Sequence, residues 1–215
     1  MSKEKMIETM ARRVAKEFKN GDLVNLGIGM PTQVSNYIPA GIELILQSEN
    51  GMLKMGPTPK EGEANPRITN AGGQPSSVLE GGMFFDSAFS FSLIRGGHVD
   101  ITVLGALEVD EQGNLANWII PGKLVPGMGG AMDLVNGVKK VIIMMEHTDK
   151  HGNSKVKKQC TLPLTGAKCV DLLVTELGVF RFDNGKMTLI ELQPNVTLEE
   201  LKSKTEATFE NGLQS

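Results

Sequence analysis

Cysteine is scarce. Cys160 and Cys169, the two in 215 residues, are too few for a disulfide scaffold and match no metal-ligand spacing. A surplus of basic charge is missing as well. Lys and Arg number 22 against 25 Asp and Glu, a formal net charge of -3, which argues against nucleic acid as a partner. Long apolar runs are absent: nothing approaches the ~20 residues of a membrane span. The opening MSKEKMIETMARRVAKEF alternates charged with apolar residues and has no apolar centre of a secretory signal. These absences lead us to expect a cytoplasmic globular protein with no membrane contact. Aromatics make up only 5%, with one Trp and one Tyr, against 12 Met. The core must therefore be built from Ile, Leu, Val and Met.

Glycine, by contrast, is abundant. There are 25 in the chain, well above the usual ~7%. They cluster at Gly27 and Gly29, Gly72-Gly73, Gly81-Gly82, Gly96-Gly97, and Gly127 with Gly129-Gly130. Such clusters allow sharp turns and close approach of backbone to a ligand.

Residues 4–18 carry Met6, Met10, Val14 and Phe18 at helical spacing and predict an amphipathic helix stopped by Gly21. Leu23–Leu26 reads as a short buried strand, and Pro31 suits the start of a helix over 32–38. Apolar runs at 42–47, 99–104, 141–145 and 187–192 predict further strands, with a mostly apolar stretch at 171–182. Helices are expected at 86–94 and 197–207, the second opened by Thr197 and Glu200 in capping-box spacing. Residues 54–66 read as a Pro- and Gly-rich surface loop. The alternation predicts an α/β fold with an open, largely parallel sheet and helices on both faces. Without a repeat or long linker, residues 1–215 are expected to form one domain.

In open α/β sheets ligands bind beyond the carboxyl ends of the strands. Three segments qualify: 25–31, 47–51 and 121–133. Glu49 follows an apolar run directly, between Ser48 and Asn50, with Gly51 next. A carboxylate held there could act as general base, nucleophile or metal ligand, and no neighbouring His or Asp completes a metal set. SENG is equally acceptable as a polar turn. The run Gly127-Met128-Gly129-Gly130 could aim backbone N–H groups at an oxyanion or a phosphate, or simply pack backbone on backbone. It lacks the ending of a P-loop. His98, His147 and His151 read as surface or structural residues. Lys155, Lys157 and Lys158 read as a solvated loop or as a contact for a large anionic ligand.

The segments NLGIGMPT (25–32), LQSENG (46–51), SLIRGGHVD (92–100), NLANWIIPGKLVPGMGGAMDL (114–134) and CTLPLTG (160–166) resemble the β subunit of class I 3-oxoacid CoA-transferases, over nearly the whole chain and in the same order. The resemblance implies a CoA-transferase-like fold and ping-pong transfer of coenzyme A between short-chain acids. Glu49 would be the nucleophile, passing through an acyl anhydride to a glutamyl-CoA thioester. A backbone N–H of Gly130, or of Gly129 one residue away, would stabilise the thioester carbonyl. Asn25 would lie near the reacting carboxylate, and Asn50 and Gly51 would complete the substrate-binding set. No permanently bound cofactor is implied; CoA thioesters are substrates. A separate α subunit is expected, in an α2β2 heterotetramer or larger assembly. Two departures from the family pattern, Lys54 after ENGML and Gly73 where relatives often carry Lys, bear on which acid is used. Rival readings are an acyl-CoA hydrolase on the same scaffold and a non-catalytic sensor of small ligands.

Overall fold

A computed structural model of the chain describes residues 2–123 and 127–213. In chain order the elements are α1 (Lys3–Ala15), β1 (Leu23–Leu26), a 3-10 helix (Met30–Tyr37), β2 (Ile45–Ser48), β3 (Met52–Gly56), β4 (Ser77–Phe84), α2 (Ser87–Arg95), β5 (Ile101–Leu104), β6 (Glu108–Asp110), β7 (Leu115–Ala116), α3 (Ala131–Gly137), β8 (Lys140–Met144), β9 (Val156–Lys157), β10 (Leu172–Val174), β11 (Gly178–Asp183), β12 (Lys186–Leu192), α4 (Leu198–Lys204) and β13 (Glu210–Asn211). Ten strands form one sheet in the order β13-β12-β11-β10-β8-β5-β1-β2-β3-β4, while β7-β6-β9 form a small second sheet. The middle of the large sheet, β10 through β2, is parallel throughout. Antiparallel hairpins extend it at both sides.

Side chains along each central strand divide between two cores, as the pleat requires. On β8, Val141 and Ile143 face one core with Ile94 of α2 and Leu134 of α3. Ile142 and Met144 face the other, with Met10 and Val14 of α1. Helices therefore cover both faces, and the expected open, largely parallel α/β sheet is what the chain forms.

Several boundaries differ from the sequence reading. The first helix keeps its α form only to Ala15. Bonds of i to i+3 type at Lys16, Glu17 and Phe18 then tighten the chain, and Phe18 still reaches the core at 3% exposure. The segment after Pro31 is a 3-10 helix rather than an α-helix. The surface loop expected from residue 54 starts only after Gly56, because Lys54 to Gly56 belong to β3. Lys54 sits at a register shift in the β3–β4 pairing with φ 56°, and its Nζ donates to the Glu80 carbonyl at 3.1 Å. That bond accounts for Lys54 within the hairpin. The stretch 171–182 is two strands, β10 and β11, turning at Thr175–Leu177.

Candidate active site

β2 ends at Ser48, and the chain reverses at once: the Gly51 N–H donates to the Ser48 carbonyl at 3.0 Å. Gly51 has φ 118°, and a Cβ there would lie 2.0 Å from the Phe85 carbonyl oxygen, so only glycine fits. The reversal leaves Glu49 half-buried at the carboxyl end of the sheet. Its neighbours tie the turn to the loop before β4. Ser48 Oγ accepts from the Ala71 N–H at 2.9 Å, and Asn50 Nδ2 donates to the Thr69 carbonyl at 2.8 Å. Gly73 takes φ 75° in that loop, with open space where a side chain would point.

Glu49 does not hang in solvent. Its Oε1 accepts a hydrogen bond from the Gly130 N–H at 3.0 Å, from a segment 81 residues away. A Cβ on Gly130 would fall 2.9 Å from Glu49 Cδ and 3.1 Å from Phe91 Cζ. A side chain here would thus have to displace the carboxylate on one side and press on the α2 ring on the other. Gly129, at φ 49°, would bring a Cβ to 3.4 Å from the same oxygen. Residues 124–126, in the expected glycine-rich segment, lie outside the described residues.

The fold thus brings Glu49, Gly129 and Gly130 into contact, with Asn50 and Gly51 shaping the turn. Asn25 is 3% exposed and pairs across the strands with Gln47, two residues before Glu49. Its Nδ2 donates to Gln47 Oε1 at 2.8 Å, and its Oδ1 accepts from Thr102 Oγ1 at 3.4 Å. Gln47 Nε2 in turn donates to Ser90 Oγ at 3.0 Å. Sequence reasoning included Gln47 only as the first residue of segment 47–51, with no role of its own, and passed over Ser90. An amide closing an apolar run gives no signal until its partner, 43 residues on, is known.

Other reactive groups are otherwise engaged. Burial raises both thiols well above their ordinary range, Cys169 to about 11, which leaves them protonated and poor nucleophiles. His147 is fully buried between Thr175 and Thr205, as a structural residue should be, while His98 and His151 are exposed. Lys157 pairs with Glu206 at 2.9 Å. Among the described residues no cluster of His, Cys, Asp and Glu could hold a metal, and no helix is long and apolar enough to cross a membrane. A cleft of about 970 Å3 opens on the α1 side of the sheet, over Leu46, Met30 and Gln74. It includes neither Glu49 nor Gly130, which face α2.

The site is therefore a half-buried carboxylate at a strand end, held by a glycine N–H in an open α/β sheet. Residues 7–204 match the Coenzyme A transferase family, and the chain belongs to it. It is 59% identical over 203 residues to the beta subunit of an acetate CoA-transferase of Escherichia coli, covering 94% of this chain and 93% of the relative. It is 58% identical over 200 residues to the B subunit of a probable succinyl-CoA:3-ketoacid coenzyme A transferase of Bacillus subtilis, covering 93% of each. In fold it is similar to the acyl-CoA transferase YdiF of E. coli, with a TM-score of 0.77 and 22% identity, across 98% of this chain and 43% of that one. The chain is thus a CoA-transferase of the β-subunit type.

Proposed function

We propose that residues 1–215 form one β-type domain that moves coenzyme A between short-chain 3-oxo and simple carboxylic acids, with Glu49 as nucleophile. The observation that carries this is the 3.0 Å bond from the Gly130 N–H to Glu49 Oε1. On this reading the N–H that holds the free carboxylate also serves the Glu49 acyl oxygen in the anhydride and thioester.

The cycle balances without an external proton. Glu49 attacks the thioester carbonyl, the C–S bond breaks, and an anhydride and CoA thiolate result. The thiolate attacks Glu49 Cδ and displaces the first acid as carboxylate, leaving a glutamyl-CoA thioester. The second acid attacks Cδ and expels the thiolate, giving a new anhydride. The thiolate attacks that acid's carbonyl, the anhydride C–O bond breaks, and the new acyl-CoA leaves with Glu49 restored as carboxylate. Each attack on Cδ puts negative charge on the Glu49 oxygen, where the Gly130 N–H, with that of Gly129 beside it, offers a fixed dipole. Asn25 supplies a buried amide below the carboxylate. Asn50 and Gly51 hold the turn against which substrate docks. CoA thioesters enter as substrates. Both relatives are named as one subunit of an enzyme, a beta and a B subunit, which supports a separate α-type partner, and we assign a heterotetramer in the cytoplasm.

The test uses the chain assembled with an α-type partner. The complex is incubated with acetoacetyl-CoA without acceptor acid, reduced with borohydride and digested. A glutamyl thioester becomes an alcohol, so the Glu49 peptide loses one oxygen and gains two hydrogens. Activity should fall in step, and acceptor acid should prevent both changes. Glu49→Gln should abolish transfer and labelling while the complex still binds CoA. An unaltered peptide in a CoA-binding complex overturns the nucleophile and favours a sensor. Net release of CoA without acceptor favours a hydrolase.

A further inference from the structure

The polar row beneath Glu49 is out of keeping with its surroundings. On the α1 side, β1, β2 and β5 present Val24, Leu46, Ile101 and Val103 to an apolar core. On the α2 side the same strands present Asn25, Gln47 and Thr102, side by side in register. With Ser90 of α2, all four are at most 3% exposed. Burying four polar side chains costs free energy that an aliphatic row would not incur. The bonds run in one direction: Thr102 donates to Asn25, Asn25 to Gln47, Gln47 to Ser90. Turning over one amide alone would set donor against donor or acceptor against acceptor at the Asn25–Gln47 contact, so each of the two amides holds the other's orientation.

What the row joins gives it meaning. Glu49 and the Gly130 N–H come from segments 81 residues apart, and α2 supports both. Ser90 anchors Gln47, two residues before Glu49. Phe91, the next residue, backs Gly130. Arg95, a turn later, pairs with Asp133 of α3 at 2.6 Å.

We infer that Gln47 is a positioning residue for the transfer reaction: its bond to Ser90 sets the distance between Glu49 and the Gly130 N–H, and its bond to Asn25 fixes that amide's orientation. The inference rests on Glu49 being the nucleophile. Small errors in such a distance are costly, since a misplacement of ~1 Å can reduce rate about 100-fold.

The assembled complex carrying Gln47→Met, an apolar side chain of similar size, tests it. Active sites are counted by borohydride labelling of Glu49, and kcat is expressed per labelled site. We expect kcat per site to fall about 10- to 100-fold, with KM for acyl-CoA within about two-fold. Ser90→Ala, which keeps Gln47 but removes its anchor, should shift kcat the same way by a smaller factor, and it decides the matter if Gln47→Met does not fold. A purely structural role would lower the melting temperature and the number of labelled sites, leaving the rate per site unchanged; that result overturns the inference. Failure to label Glu49 in the unsubstituted complex overturns the nucleophile reading itself, and this inference with it.

Discussion

At Gly130 the backbone is at φ -86° and ψ 5°, which any residue can adopt; a Cβ would meet the Glu49 carboxyl at 2.9 Å and Phe91 Cζ at 3.1 Å, and the carboxyl is the part free to move. Gly130→Ala should therefore leave the melting temperature nearly unchanged while lowering kcat/KM about 10- to 100-fold, because the added methyl displaces the carboxylate from its donor. Stopped-flow formation of the Glu49 thioester, run beside a thermal melt, separates the two effects. A parallel loss of folding would show that the glycine serves the backbone instead. Gly51 is the contrasting case, for its positive φ and its contact with Phe85 make it a folding glycine. The sequence alone distinguished neither role. It did single out Glu49 as a candidate, because an acidic residue between an apolar run and a glycine is visible in one dimension, though a polar turn fitted the same pattern. It could not reveal Gln47, whose meaning lies in partners on β1 and α2.

Helices α1, α2 and α4 and strands β1, β2, β5 and β8 were legible for a similar reason: buried on one or both faces, they carry a regular apolar pattern. The seven-residue α3 was not predicted, and β10 was read only as part of an apolar stretch. β4 was not legible. Its SVLEGGMF has glycines in mid-strand and lies at the sheet edge, mostly exposed, so nothing enforces alternation. Short strands such as β7, β9 and β13, two residues each, are fixed by tertiary pairing and leave no pattern. At this scale His147 joins elements that sequence separates. Its ring bonds Thr175 at the β10–β11 turn, at 3.0 Å, and Thr205 at the end of α4, at 2.9 Å. Burial, with Lys204 and Lys155 nearby, lowers its pKa from 6.5 to about 4. The folded state thus holds it neutral, while the unfolded chain takes up a proton below pH 6.5. Stability from this group is complete above pH 6.5 and declines as pH falls toward 4, by about 3 kcal/mol in all. Denaturant midpoints measured from pH 7 to 4 should show that slope. His147→Gln, which keeps hydrogen-bonding capacity, should be less stable at pH 7 and show a flatter slope. An equal slope in both proteins would assign the acid sensitivity to other groups.

Across the whole molecule the two edges of the large sheet are treated differently. One ends in β13, two exposed residues, Glu210 and Asn211, short and polar as an edge must be to avoid pairing with other chains. The other ends in β4, eight residues long, with Leu79, Met83 and Phe84 half exposed or more and Phe89 of α2 at 50%. Such an edge invites association, and β4 leads through Phe85 to Gly51, beside Glu49. A cover on β4 would therefore also wall Glu49 from water, which on the proposed mechanism would hydrolyse its thioester. On the function proposed above, the α-type partner is the cover to test. Amide hydrogen exchange should report it: residues 77–84 exchange rapidly in the chain alone and slowly in the complex. Phe84→Asp, at a position 59% exposed, should leave the isolated chain folded yet weaken assembly at least 10-fold, about 1.4 kcal/mol. Protection of β4 in the chain alone would instead indicate self-pairing along this edge. Unchanged exchange in an active complex would place the partner elsewhere.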